Sequence, residues 1–208
     1  MAETVYTIGH SNHPLDRFIA ILKQHAIDTL CDVRSDPYSR VNPQFNRETL
    51  KTTLNKHGIN YVFLGKELGA RSEDPLCYVH GKVQYDRLSR TALFQRGVDS
   101  LLKMTHEHGC ALMCAEKDPL DCHRTILVAR YLDKLGVPVT HILFDGTLET
   151  HRQAEVRLLR QQNIPESDDL FRSRETTIDD AYRTQGNRIA YTLRSTNDGV
   201  RHTGKNSR

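Results

Sequence analysis

The chain has no tryptophan, only 7% aromatic residues, no glycine-rich phosphate loop and no cysteine set that pairs off evenly. No stretch approaches the ~18 uncharged apolar residues that span a bilayer, so a membrane partner is not expected. Neither GxGxxG nor GxxxxGK followed by Ser or Thr occurs, which disfavours a Rossmann dinucleotide site and a Walker nucleotide hydrolase. The five cysteines, Cys31, Cys77, Cys110, Cys114 and Cys122, are an odd number. The N-terminus passes from MAET straight into VYTIGH without a basic-then-apolar leader. Reduced thiols and a cytoplasmic location are therefore the expectation. A formal charge of +3 is too small to demonstrate nucleic-acid binding, although it does not oppose a polyanionic partner.

What is present is an ordinary globular composition, 38% apolar and 26% charged, with an excess of histidine, 11 in 208 residues. That length supports one well-buried core with a modest appendage. VYTIGH reads as a strand running into turn chemistry. Asp16 to His25 carries Phe18, Ile19, Ile21 and Leu22 at helical spacing. TLCDVRS is a second strand whose uninterrupted apolar character suits burial on both faces of a parallel sheet. After the loop DPYSRVNPQFN come a helix over Arg47 to His57 and a strand NYVFL. LGKELGARSEDPLCYVHGKVQ has neither period and is the longest loop candidate, a possible lid. One or two helices over Leu88 to Glu107 precede the strand CALMC. A helix over Cys122 to Leu135 then ends at Gly136, followed by a strand VPVTHILF and a helix over Thr150 to Gln162.

From Ile164 onward apolar residues thin out, so residues 1–163 form the expected domain and 164–208 a polar, basic tail, disordered at least beyond Ser195. Strand-helix alternation predicts a single α/β domain with a mainly parallel sheet flanked by helices. Ligands of such folds lie at the carboxyl ends of the strands.

Three strand exits carry unusual polar groups: His10 and Ser11 after the first, Asp32, Arg34 and Ser35 after the second, and Glu116 and Lys117 after CALMC. The last loop also brings Asp121, Cys122, His123 and Arg124 to a helix N-terminus, where free N–H groups and the helix dipole favour an anion. Arg124 would add a bidentate donor, and Cys122 at that terminus would be partly thiolate and nucleophilic. The plainer account has Asp121 capping the helix, Arg124 pairing with a carboxylate and the cysteines packing as small apolar residues. Asp32 with Arg34 would likewise be a strand-end ion pair, and His10 a turn residue rather than a proton shuttle. The density of reactive groups between Cys114 and Arg124 favours function over packing.

No cofactor is predicted. Cys114, Cys122, His123 and His10 offer soft and imidazole ligands, yet seven residues between the cysteines match no compact zinc pattern, and adjacent Cys122 and His123 do not readily ligate one ion from a helix. A metal is therefore disfavoured.

With TIGHS at 7–11, DVRSDPYSR at 32–40, LGKELG at 64–69 and CAEKDPLDCHR at 114–124, the chain resembles the family known as domain of unknown function 488 over Val5 to Leu143. It departs at Ala70, where that family usually carries a second glycine. The resemblance implies a compact bacterial or archaeal α/β protein and assigns no activity. From the residues, the leading expectation is an enzyme acting on a nucleotide, nucleic-acid base or other phosphorylated compound. Arg34, Arg40 and Arg124 would grip phosphate beside Ser11, Ser35, Tyr38, Lys117 and His123, while Asp32, Glu116 and His10 perform acid-base or glycosidic chemistry. Alternatives are a cysteine-dependent phosphatase or sulfurtransferase, in which a thiolate of the Cys114 to Arg124 segment, Cys114 or Cys122, works with the arginine on the next helix, and a noncatalytic nucleotide- or nucleic-acid-binding module. The partner would be a phosphorylated small molecule or a nucleic acid. The oligomeric state is left open.

Overall fold

Short runs of β-branched and aliphatic residues, buried on both sides, build the centre of the molecule. A computed structural model describes residues 4–165 and 173–193. β1 (Val5–Gly9), β2 (Thr29–Asp32) and β6 (Cys110–Cys114) have almost no exposed position, the mark of strands covered by helices on both faces. With β3 (Asn60–Phe63), β7 (Val139–Ile142) and β8 (Leu148–Thr150) they form one six-stranded sheet in the order β3-β2-β6-β1-β7-β8. All neighbours are parallel except β8, which folds back antiparallel on β7.

Side-chain alternation divides the core into two layers. Ile8, Leu30, Ala111 and Met113 meet Phe18, Ile19, Ile21 and Leu22 of α1 (Leu15–Gln24) and Leu50 and Leu54 of α2 (Arg47–Lys56). On the opposite face Val5, Cys31, Cys110, Leu112 and Cys114 meet Phe94, Val98 and Leu101 of α4 (Ala92–Thr105) and Leu127 to Leu132 of a further helix. That helix is π-wound over Arg124–Ala129 and continues as α5 (Arg130–Lys134). α4 is preceded by the single-turn α3 (Tyr85–Leu88).

The chain from β1 passes through α1 and over β6 to reach β2, whereas the chain from β6 passes through α5 and over β1 to reach β7. Adjacent strands β1 and β6 thus send their connections in opposite directions. This is the switch point at which open α/β sheets leave a crevice at their carboxyl edge.

Three segments differ from the sequence reading. The expected lid loop contains a turn at Pro75–Cys77 and a two-stranded hairpin, β4 (Tyr78–Val79) and β5 (Lys82–Val83). His80 and Gly81 make its turn at φ 49 and 74, and Cys77 and Val83 anchor it in the core. β8 was not anticipated, because three residues with little burial carry no strand period. The polar segment beyond Ile164 contains α7 (Arg174–Ile189), which packs Ile178, Ala181 and Tyr182 against α6 (His151–Gln161). Expected disorder beyond Ser195 lies outside the described residues. A buried polar chain ties these layers together: Thr7 Oγ1 to His141 Nδ1 at 2.8 Å, His141 Nε2 to His151 Nδ1 at 3.1 Å, and His151 Nε2 to the Tyr182 hydroxyl at 3.0 Å.

Candidate active site

The strand alternation that divides the core also divides the reactive groups. His10, Asp32 and Arg34 follow the α1/α2 face, whereas Cys114 points to the α4/α5 face. Backbone hydrogen bonds from His10 to the Cys114 carbonyl and from Ser11 to the Ala115 carbonyl, both 2.9 Å, carry the β1/β6 pairing past the strand ends. Gly9 lets the two exits close on each other, since a Cβ there would lie 1.9 Å from the Glu116 carbonyl oxygen. Between these exits lies a crevice of about 330 Å³ lined by His10, Ser11, Asn12, Arg34, Asp36, Tyr38, Ser39, Asn42, Ala115, Glu116 and Lys117.

Its floor is a fixed ionic cluster. Arg34 donates from Nε to Asp32 Oδ1 at 2.9 Å, from Nη2 to Asp32 Oδ2 at 2.6 Å and to the Phe45 carbonyl at 2.8 Å, and from Nη1 to His10 Nε2 at 3.1 Å. That leaves one Nη1 hydrogen of its five donors. Asp32 also accepts from the Arg34 backbone N–H at 3.1 Å and from the Tyr61 hydroxyl at 2.6 Å. Burial, then the Asp32 charge, push the Tyr61 hydroxyl up. The Ser11 carbonyl can only accept, so it holds the proton on His10 Nδ1, 2.9 Å away, and His10 Nε2 faces the Arg34 donor. Burial, then Arg34, lower the His10 pKa to about 4. The ring stacks on Phe45 at 4.3 Å. Both ring nitrogens are therefore committed, and His10 stands as a neutral spacer between Ser11 and Arg34.

On the opposite face, Cys114 Sγ and Cys122 Sγ lie 3.7 and 3.8 Å from His123 Nδ1. His123 Nε2 donates to the Val33 carbonyl at 3.0 Å, and the Arg124 N–H points at Cys122 Sγ at 3.4 Å. A hydrogen bond with Cys122, then burial, raise the Cys114 thiol well above its usual range. Burial opposes a Cys122 thiolate, yet the Cys114 hydrogen bond, Arg124 and His123 outweigh it and hold that thiol well below the ordinary value. Burial also opposes the His123 cation, and the charge of Cys122 overcomes it and raises His123. Glu116 carries its carboxyl at the exposed side of the crevice. Desolvation, then the charge of Cys122, raise it. The sequence reading missed Tyr85, which closes over this group from α3 and faces Gly186 of α7.

Arg124 is fully buried and among the described residues meets no carboxylate and leaves Nε unpartnered: its guanidinium donates to the carbonyls of Glu116 at 2.9 Å and Lys117 at 3.4 Å. It shapes the loop from below. Asp121 does not cap the helix; it pairs with Arg188 of α7 at 2.6 Å, while Gln185 donates to the Leu120 carbonyl at 2.7 Å. α7, from a segment read as tail, thus braces this loop.

Of the residues proposed from sequence, His10, Ser11, Arg34, Tyr38, Glu116 and Lys117 line one crevice. Asp32 lies in its floor, and Cys122, His123 and Arg124 are buried outside its lining. Ser35 turns away to accept from the Arg71 N–H at 3.0 Å, and Arg40 is exposed off the lining. Asn12, Asp36, Ser39 and Asn42 were read as turn residues. Their position directly after parallel strands was the signal that marks them as lining. A larger recess of about 520 Å³ beside α5 and α7 holds Arg130, Lys134 and Asp179, but those charges are matched to one another.

The fold is that of a mainly parallel α/β protein with a polar crevice at its topological switch point. The match of residues 14–132, more than half of the chain, to the domain of unknown function DUF488 shows that the protein belongs to that family. No curated protein and no solved structure gives a significant match. Among the described residues no helix is long and apolar enough to cross a membrane.

Proposed function

We propose that the protein is an enzyme acting on a nucleotide, a nucleic-acid base or another phosphorylated compound held in the β1/β6 crevice. The observation that carries this reading is the meeting, at the switch point, of the last Arg34 donor, the Lys117 ammonium and the Glu116 carboxyl. Lys117 Nζ is steadied over the Phe144 ring at 4.3 Å. Arg34 and Lys117 supply the anion contacts. Tyr38, 58% exposed, offers a stacking face to a base, and Ser11 and Asn42 offer hydrogen bonds. Glu116 is the acid-base group facing substrate, with Asp36 the second carboxylate on the lining, as glycosidic-bond chemistry requires. Asp32 acts through Arg34 and is a positioning residue, since four hydrogen bonds occupy its oxygens. A thiol nucleophile is less well supported, because Cys114 and Cys122 are 4% and 1% exposed and absent from the lining.

A panel of nucleosides, nucleotides, phosphate esters and oligonucleotides tests the reading. Glu116→Gln is expected to abolish turnover while substrate still binds. Lys117→Ala is expected to weaken phosphorylated ligands about tenfold and leave nucleosides unchanged, the size of one charge-assisted contact. Turnover that survives Glu116→Gln and stops in Cys122→Ser would transfer the chemistry to the thiol. Ligand binding with no turnover of any compound would favour a sensor.

A further inference from the structure

We propose that Cys114, Cys122 and His123 form a zinc site. Two sulfurs and one imidazole nitrogen from two chain segments converge until all three donor atoms lie within 4.8 Å of one another. The Sγ to Nδ1 separations of 3.7 and 3.8 Å match the edge of a zinc tetrahedron. With Zn–S near 2.3 Å and Zn–N near 2.05 Å, that edge is about 3.6 Å. The obstacle raised by adjacent Cys122 and His123 disappears in the folded chain. Cys122 lies ahead of the helix in extended conformation, φ −133 and ψ 141, and only His123 has helical angles, so the two side chains converge instead of diverging around a helix.

The surroundings are those of a ligand set. His123 donates its distal N–H to the Val33 carbonyl, which fixes the tautomer with Nδ1 free to ligate. The Arg124 N–H aimed at Cys122 Sγ stabilises a thiolate sulfur. Charge also closes: two thiolates cancel the ion, while buried Arg124, which meets no carboxylate among the described residues, offsets Glu116. Two sulfurs and an imidazole select zinc over the hard cations, which take oxygen. The other grouping of potential ligands among the described residues, Asp133, His151 and Glu155, is already occupied. Arg130 pairs with both carboxylates, and His151 bridges His141 and Tyr182. Three protein ligands leave the fourth position of a zinc tetrahedron to a further ligand. The inference stands on the cysteine cluster and does not require the substrate reading of the crevice.

The test uses the full chain, purified with a non-chelating reductant. Metal analysis after incubation with zinc and desalting is expected to give about one zinc per chain. Cobalt(II) replacement is expected to give a thiolate charge-transfer band with tetrahedral ligand-field absorption. Cys114→Ser, Cys122→Ser and His123→Gln each lower zinc affinity by more than about 100-fold, exceeding the loss from outer-shell changes. Cys77→Ser, a buried thiol in the hairpin segment, leaves affinity unchanged. Because ligand variants of a buried cluster can misfold, alkylation of the unmutated chain provides a second readout. Zinc is expected to protect Cys114 and Cys122 selectively over Cys31, Cys77 and Cys110. A chain that takes up no zinc, or protection that does not single out Cys114 and Cys122, overturns the proposal.

Discussion

Replacing Asp32 by Asn separates a carboxylate that performs chemistry from one that holds an arginine in place. Asp32 is wholly buried and Arg34 is 6% exposed. The carboxylate accepts four hydrogen bonds, at 2.6, 2.6, 2.9 and 3.1 Å. Asn keeps the size and one acceptor oxygen but turns an amide N–H₂ toward Arg34 Nη2 or Nε, donor against donor. The guanidinium is left buried without a counter-charge, a loss of about 3–5 kcal/mol. Against a total stability of ~5–15 kcal/mol this is large. At about 2–4 °C per kcal/mol for a domain of this size, Tm should fall by ~6–20 °C. Tyr61→Phe removes a single bond to the same charged oxygen and should cost about 2 kcal/mol. Circular dichroism on heating and in urea measures both. Asp32→Asn combined with Arg34→Gln should cost less than the sum of the single changes, because the second substitution removes the stranded charge. An Asp32→Asn protein within about 1 kcal/mol of the parent would refute the positioning role. Loss of turnover at unchanged stability would return Asp32 to the chemistry.

Two further perturbations probe other buried contacts of the sheet. His10 and His151 have pKa values lowered from 6.5 to about 4. The unfolded chain therefore binds protons that the folded chain refuses, so stability declines as pH falls from about 6.5 toward about 4. Each histidine should contribute a loss of about 2 kcal/mol by about pH 5. A Tm unchanged between about pH 7 and 5 would contradict this, and His151→Gln should reduce the slope. Gly9→Ala drives a Cβ to 1.9 Å from the Glu116 carbonyl and 3.1 Å from Arg124 Nη2, neither of which is a free side-chain end. Destabilisation of at least about 3 kcal/mol is expected by urea titration. A variant as stable as the parent would mean that β1 and β6 do not meet this closely.

The strands and helices nearest the sheet centre were legible because burial leaves a pattern. CALMC is a continuous apolar run, Leu30 and Cys31 form the apolar centre of TLCD, and Phe18, Ile19, Ile21 and Leu22 mark one face of α1. The strand exits were equally legible as the place to look for chemistry, since a parallel sheet puts its ligand site there. β8, the β4/β5 hairpin and α7 were not, because partly exposed or polar segments are held by contacts distant in sequence, such as Val83 N–H to the Tyr191 carbonyl and Gln185 to Leu120.

The sequence by itself determined a mainly parallel α/β domain and a loop from Cys114 to Arg124 dense in ionisable side chains. Only the tertiary structure decided how those residues are shared out. Alternation along β1, β2 and β6 sends His10, Asp32 and Arg34 to one face and Cys114 to the other. An extended Cys122 before the π-wound helix then swings its sulfur and the His123 ring together. Residue types and spacings carry neither the parity of a strand end nor the angle at which a helix begins, because both are set by which strands become neighbours.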